Sequence, residues 1–410
     1  MSAVQDRLAG LTDGLIVAGQ GEDAVRSAVV AIEWEGHGQA VAAAGIARAD
    51  SGAPMRTGTQ FHIASVGKPM TAALIFQAAE EGKLGSDGVD ARLIDTAVLP
   101  GDVVQRLHMM DGVSHGAAIT LRHLLTHTSG LRDAQIDDGD HVSSGYGGKP
   151  APGSIVGLRA ADYAAHIADA RAGKPIDPGL RTRKLWRPWD PGRLNDAEAG
   201  LINFYLNAGM AEHGLFAPGT AFHYSDTAFT ILALLAENLL GESYHRLLRH
   251  RIFDPLGMTA SFLDGWGDLD PTLHMGEVSD CWSGDVPLVS YGVTLSNDWG
   301  GGGQVCTAGD LNRFMRGLME GRLFQKPGTL ADILTFIEPP GRPVNYARVG
   351  CGVMTFLAPR GRKVIGHSGA WGAKMLAWPD EGIYASGTVN RRAAHADWMI
   401  DLVETLLTRD

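Results

Sequence analysis

Apolar positions along this chain follow a helical period in some stretches and a strand-like one in others. Leu8, Leu11, Leu15 and Ile16 recur at helical spacing and predict an opening helix over Met1 to Ala18. Two β-like runs, Ala28 to Trp34 and Ala40 to Ile46, flank Gly36-His37-Gly38 and predict a hairpin. The densest apolar block is Phe61 to Leu84. Between Met70 and Ala79 only Thr71 and Gln77 are polar, so this segment reads as a helix buried on most sides, with Gly82 as its stop signal. A short helix over Thr120 to His127 places Leu121, Leu124 and Leu125 on one side and closes at Ser129-Gly130.

Later segments repeat the contrast. After the turn at Pro218-Gly219, a helix carries Phe229, Leu232, Leu235, Ala236 and Leu239 and ends at Gly241. Ile252 to Met258 turns at Pro255-Leu256-Gly257, and Gly300 to Gly303 precede a helix over Thr307 to Leu318. Four strand-like runs follow, Val353 to Leu357, Lys363 to Gly366, Lys374 to Trp378 and Tyr384 to Val389, then a closing helix over Ala393 to Leu407. Strands at both ends with helices between imply an α/β (α+β) protein whose ends meet in one antiparallel sheet beside a helical lobe. The expected organisation is a single domain over residues 1–410. Its sheet part covers roughly 1–85 and 300–410; its helical part covers roughly 86–299 and includes an irregular insertion at 138–196.

Composition narrows the classes. The chain has 410 residues, 45% hydrophobic and 20% charged, enough for a large core around one cleft. A formal net charge of -11 disfavours nucleic acid or an anionic membrane as partner and leaves small molecules open. Cys281, Cys306 and Cys351 are widely spaced and form no Cys-x-x-Cys pair, which fits reduced thiols in the cytoplasm. Met1 to Gly10 lacks the basic end and apolar block of a secretory signal, and no run approaches membrane-spanning length.

Candidate chemistry starts at Ser65 and Lys68, three residues apart where the buried helix begins. Pro69 suits only a first helical turn, so Ser65 is expected at or just before the helix start, beside its orphan amides. A lysine leading into an apolar helix must be paired, reach water, or lose its proton readily and act as a base. An N-capping serine followed by a solvated lysine is the competing reading. Tyr224 and Asp226 form a second polar cluster at a helix start. His123 and His127, four apart, could face one metal, but no third ligand stands nearby, so the expectation is no metal site and histidines that bond backbone groups. The insertion carries Tyr146, Trp186 and Trp189 and a helical piece near Ala160 to Ala172, and reads as a lid or substrate wall; its basic cluster Arg181, Arg183, Lys184 and Arg187 reads as a solvated face. Four consecutive glycines at Gly300 to Gly303 imply a close backbone approach, not a phosphate loop.

Taken in order, these clusters resemble the serine hydrolases built like class C β-lactamases and penicillin-binding proteins. Ser65-Val66-Gly67-Lys68 matches the Ser-x-x-Lys element, Tyr224-Ser225-Asp226 matches Tyr-x-Asn imperfectly, and His367-Ser368-Gly369 stands where Lys-Thr-Gly or His-x-Gly is expected. Leu121 to Leu131 and Ile252 to Met258 also look like that family, and the resemblance spans about Ala28 to the C-terminus. It implies Ser65 as nucleophile, with Lys68 and Tyr224 sharing the proton handling. It also implies an oxyanion hole built from the backbone amides of Ser65 and Ala370. Asp226, His367, Ser368, Gly369 and Trp371 would contact substrate.

Two departures shape the substrate expectation. Asp226 replaces Asn and would favour a cationic lysine or bind a substrate amine, and His367 replaces the lysine that meets a β-lactam carboxylate. The expected activity is cofactor-free hydrolysis of a small carboxylic ester through an acyl-enzyme. Alternatives are a D-stereospecific amidase or peptidase, a β-lactamase, an acyltransferase using an alcohol or amine, and a ligand-trapping sensor without turnover. The sequence leaves the oligomeric state open.

Overall fold

The computed structural model of the chain describes residues 3–16, 24–143, 149–174, 188–265, 278–342, 346–392 and 397–408. Helix α1 (Ala3–Gly14) leads to the hairpin β1 (Ser27–Trp34) and β2 (Gly38–Gly45), paired in one register from Ser27–Gly45 to Trp34–Gly38. A two-residue strand, β3 (Phe61–His62), precedes α2 (Lys68–Glu80), the buried helix expected from the apolar block. The central part carries α3 (Leu121–Leu125), α4 (Ile155–Arg171) and α5 (Asp226–Leu240), then the short strands β4 (Phe262–Leu263) and β5 (Gln304–Cys306) and helix α6 (Ala308–Met319). The C-terminal meander comprises β6 (Tyr346–Val349), β7 (Met354–Leu357), β8 (Lys363–Ser368), β9 (Ala373–Trp378) and β10 (Ile383–Thr388), and α7 (Trp398–Leu407) closes the chain.

Both ends of the chain share one seven-stranded antiparallel sheet, in the order β6-β7-β8-β9-β10-β1-β2. Its joint is the pairing of β1 with β10, from Val29–Thr388 to Trp34–Ile383. The two-residue side-chain period of β1 explains why the run reads as uniformly apolar. Val29 and Ala31 face the core shared with α2, α5 and α6, whereas Ala28, Val30 and Ile32 face a second core built with α1 and α7. A sheet covered on both faces needs apolar residues at every position of its central strands. The small sheet β3-β5-β4 lies apart and fixes where the chain enters α2.

Several boundaries differ from the sequence expectation. Helix α4 starts at Ile155 rather than Ala160, because the Ser154 hydroxyl caps it by accepting from the Gly157 N–H. The segment near Pro255 is helical through Leu256, following a π-type turn over Arg249–Phe253, and reverses only at Gly257 in the left-handed region. Strand β6 was not anticipated; it is an edge strand with a register shift between Tyr346 and Arg348, too irregular to show alternation. Tyr146, Trp186 and the basic cluster Arg181, Arg183, Lys184 and Arg187 lie outside the described residues. Among the described residues no helix is long and apolar enough to cross a membrane.

Candidate active site

Ser65 sits in a single 3-10 turn, Ala64–Gly67, that runs directly into α2 with Pro69 in its first turn. Its neighbour Ala64 adopts φ 49°, a left-handed conformation unusual for a residue with a Cβ, held by packing on both sides. A Cβ on Gly302 would collide with the Ala64 backbone, and one on Gly67 would collide with the Gln304 side chain. Of the four glycines, Gly302 makes its close approach onto the Ser65 turn, whereas Gly300 packs on the Phe229 backbone of α5.

Lys68 has no solvent-exposed surface. Its Nζ donates to Ser65 Oγ at 3.1 Å and to the Gly301 carbonyl at 2.7 Å, and forms an ion pair with Asp226. It also stands 4.8 Å from the centre of the Tyr224 ring. Of the three fates open to this lysine, the chain uses pairing. Burial by itself would pull its pKa down, but the Asp226 charge overrides that and holds the ammonium above the ordinary lysine range. Asp298, also buried, is pushed well above the usual carboxylate range by burial and then by the Asp226 charge, and shares a hydrogen bond with Asp226. Burial raises Asp226 too, against the opposing pull of Lys68. Asp298 thus holds its proton more tightly than a free carboxyl, beside the Lys68–Asp226 ion pair.

The cap of α5 positions Tyr224 and Asp226. Ser225 Oγ accepts from the Ala228 N–H at 3.3 Å and donates to the Arg132 carbonyl at 3.1 Å, so the residues on either side of it are set by one buried hydroxyl. Tyr224 stacks on His127, with ring centres 4.2 Å apart. His127 in turn accepts from the Ser225 N–H at its Nδ1, 3.1 Å away. His123 instead accepts from the Thr120 N–H in the reciprocal cap of α3. The two histidines thus bond separate backbone groups.

From the sheet side, β8 brings His367 to 6.2 Å from Tyr224, ring centre to ring centre. Burial first and the Lys68 charge second lower the His367 pKa to about 3, so the ring is neutral. Gly369 packs its Cα against the Ile63 carbonyl, where any Cβ would collide, and donates its N–H to Ala373 at 2.8 Å. Beyond it, Ala370 and Trp371 join Ser65, Asp226 and Asp298 in lining a cavity of about 290 Å³. His367 and Ser368 at the end of β8, and Gly369 just after it, do not line this cavity. The sequence reading missed Asp298; it named His127 as a histidine bonding a backbone group, as found, but not its stacking on Tyr224. Asp298 carried one signal, its place just before the four-glycine run.

The chain is similar to several known proteins. The chain is 25% identical over 329 residues to penicillin-binding protein 4* of Bacillus subtilis (strain 168), a match covering 78% of this chain and 57% of that protein. The chain thus spans little more than half the length of that curated relative. Esterase EstB of Burkholderia gladioli is 36% identical over a shorter stretch of 89 residues, 22% of this chain and 20% of EstB. Among solved structures, the D-amino acid amidase from Ochrobactrum anthropi SV3 complexed with D-phenylalanine superposes with a TM-score of 0.69 at 18% identity, covering 99% of this chain and 97% of the amidase. That likeness shows the shared fold, an antiparallel sheet flanked by helices with a helical lobe beside it. With the family model described as Beta-lactamase matching residues 12–408, the chain belongs to that family.

Proposed function

We propose that this protein is a serine hydrolase that cleaves a small carboxylic ester through an acyl-enzyme on Ser65. The observation that carries this reading is the Lys68 ammonium, pinned by Asp226 and donating to Ser65 Oγ. An ammonium that donates to the hydroxyl oxygen does not take the hydroxyl proton. We assign the base to Tyr224, whose ring centre lies 4.8 Å from the Lys68 ammonium. Ser65 Oγ attacks the ester carbonyl as its proton passes to Tyr224. The oxyanion is held by the backbone N–H groups of Ser65 and Ala370. Tyr224 then protonates the leaving alkoxide, and water repeats the sequence to release the acid.

An ester is favoured over an amino-acid amide because Asp226, the residue that would greet a substrate amine, is already committed to Lys68. Esters also need less help to expel their leaving group. In this reading residues 1–410 work as one catalytic unit, with Ser65 and Lys68 supplied by the sheet part and Tyr224 and Asp226 by the helical part. Three buried free thiols, Cys281, Cys306 and Cys351, fit a cytoplasmic setting. The test is turnover of a chromogenic short-chain ester together with intact-mass detection of the adduct. Ser65→Ala should lower turnover at least about 10³-fold and abolish the adduct. Unchanged turnover in that variant would refute the proposal, and a single acylation without turnover would favour the sensor alternative.

A further inference from the structure

A third apolar cluster, separate from the two that flank the large sheet, lies beside Ser65. Its buried members Leu288, Val293 and Trp371 are joined by Tyr163, Val286 and Leu295, which pack against it but stay half-buried. Every one of these residues also lines the Ser65 cavity. The cluster is thus left open on one side, and that side is the cavity.

Helix α4 supplies Tyr163 and is fixed towards both ends. At its start the N–H groups of Ile155 and Val156 donate to the carbonyls of Ala134 and Gln135, each at 3.0 Å; further along, His166 Nε2 donates to the Tyr291 carbonyl at 2.7 Å. The apolar wall is therefore preformed. Polar groups around it are already engaged: Asn297 Nδ2 donates to Gln135 Oε1 at 3.1 Å, Asp226 is paired with Lys68, and Arg159 has a partner of its own. A ligand body here meets mainly carbon, which favours apolar area over polar groups.

Size and position narrow the occupant. A dry apolar cavity of about 150 Å³ holds one benzene ring, so a cavity of about 290 Å³ has room for about eight to ten carbon atoms. Ser65 and Ala370 line it, whereas Tyr224 does not. Tyr224 is the group assigned to protonate the leaving oxygen, so the leaving group departs on the Tyr224 side and the acyl part of the ester lies in the cavity.

We propose that this cavity is an acyl pocket, so that the preferred substrate is an ester of an uncharged, apolar acid of about eight to ten carbons. This deepens the ester-hydrolase reading and rests on Ser65 being the nucleophile. Tyr163, Val286 and Trp371 set the acyl length, and the alcohol side is read weakly.

The experiment measures kcat/KM for 4-nitrophenyl acetate, butyrate, octanoate, decanoate and laurate and for the mono-4-nitrophenyl ester of suberic acid, all below their micelle concentrations. Ethyl and octyl acetate, followed by acid release, probe the alcohol side. In the unmodified protein kcat/KM should rise about 30-fold or more from acetate to octanoate, and octanoate should exceed the anionic suberate ester by about 10-fold. Val286→Phe fills the cavity and should lower the octanoate-to-acetate ratio about 5-fold or more; Tyr163→Ala widens it and should move the optimum to a longer acyl chain. Both esters of a ratio are read on the same sample, so a general loss of folded protein cancels. A flat acyl series, a preference for the suberate ester, a rise along the alcohol series instead, or ratios that neither variant moves overturns the acyl pocket while leaving the Ser65 reading intact. Failure of every ester to acylate Ser65 overturns both.

Discussion

Replacing Asp226 by Asn keeps the side-chain shape and removes the charge that holds Lys68. Unit charges about 4 Å apart interact by about 4 kcal/mol at an effective dielectric of 20, and breaking one side of a buried ion pair costs about 3–5 kcal/mol. Lys68 has no water to turn to. The loss therefore appears either as lower stability or as a lysine that sheds its proton more readily. Asp298 decides how much is seen. Its proton is held partly by the Asp226 charge, so in Asp226→Asn it ionises and becomes the new counter-charge. The single variant should lose only about 1–2 kcal/mol of unfolding free energy and keep kcat/KM within about 10-fold. The Asp226→Asn/Asp298→Asn double variant should lose the full amount, with the alkaline limb of its kcat/KM profile moved down by about 2–3 pH units. Urea unfolding and ester hydrolysis from pH 5 to 10 measure both quantities. A single variant as damaged as the double, or a double variant with the original profile, would refute the idea that these carboxyls set the charge of Lys68.

Three further outcomes are expected. Gly67→Ala drives a methyl into Gln304, which is fully buried and donates to the Tyr244 hydroxyl at 2.9 Å, and should lower the urea midpoint by an amount equivalent to about 1–3 kcal/mol with an unchanged slope; an unchanged midpoint would show that Gln304 moves freely. Ser225→Ala removes the buried cap of α5 and should cost about 1–2 kcal/mol while depressing kcat more than it raises KM, because Tyr224 and Asp226 lose their common anchor. His367 is held neutral by burial, so its contribution to stability is present above the unfolded histidine pKa of about 6.5 and is lost as pH falls toward about 3. His367→Gln should therefore flatten the acid side of the stability profile by up to about 1.4 kcal/mol per pH unit below pH 6, and an identical acid slope would show that His367 takes up no extra proton on unfolding.

Much of the architecture was legible because local rules and the global fold agree. The apolar block after Pro69 could only be a buried helix, Gly241 could end α5 in a left-handed turn, and the change of period after Val353 marked a meander. What was misread had weak local signals. Strand β6 is an irregular edge, and Pro255 lies within a helical turn set by its neighbours. The role of Asp226 was left open between tuning Lys68 and greeting a substrate amine, since spacing does not reveal which partner a carboxylate reaches first.

The sequence by itself determined the turn at Ser65, the order of the polar clusters and the meeting of both chain ends in one sheet. These follow from periodicity, caps and residues with restricted backbone, all of which act over a few neighbours. Only the tertiary structure decided the charge of Lys68, the pairing of Asp298 with Asp226, the stacking of His127 on Tyr224 and the apolar cavity beside Ser65. Those depend on burial and on contacts between residues far apart in the chain, where removal of water turns a distance of a few ångströms into a protonation state.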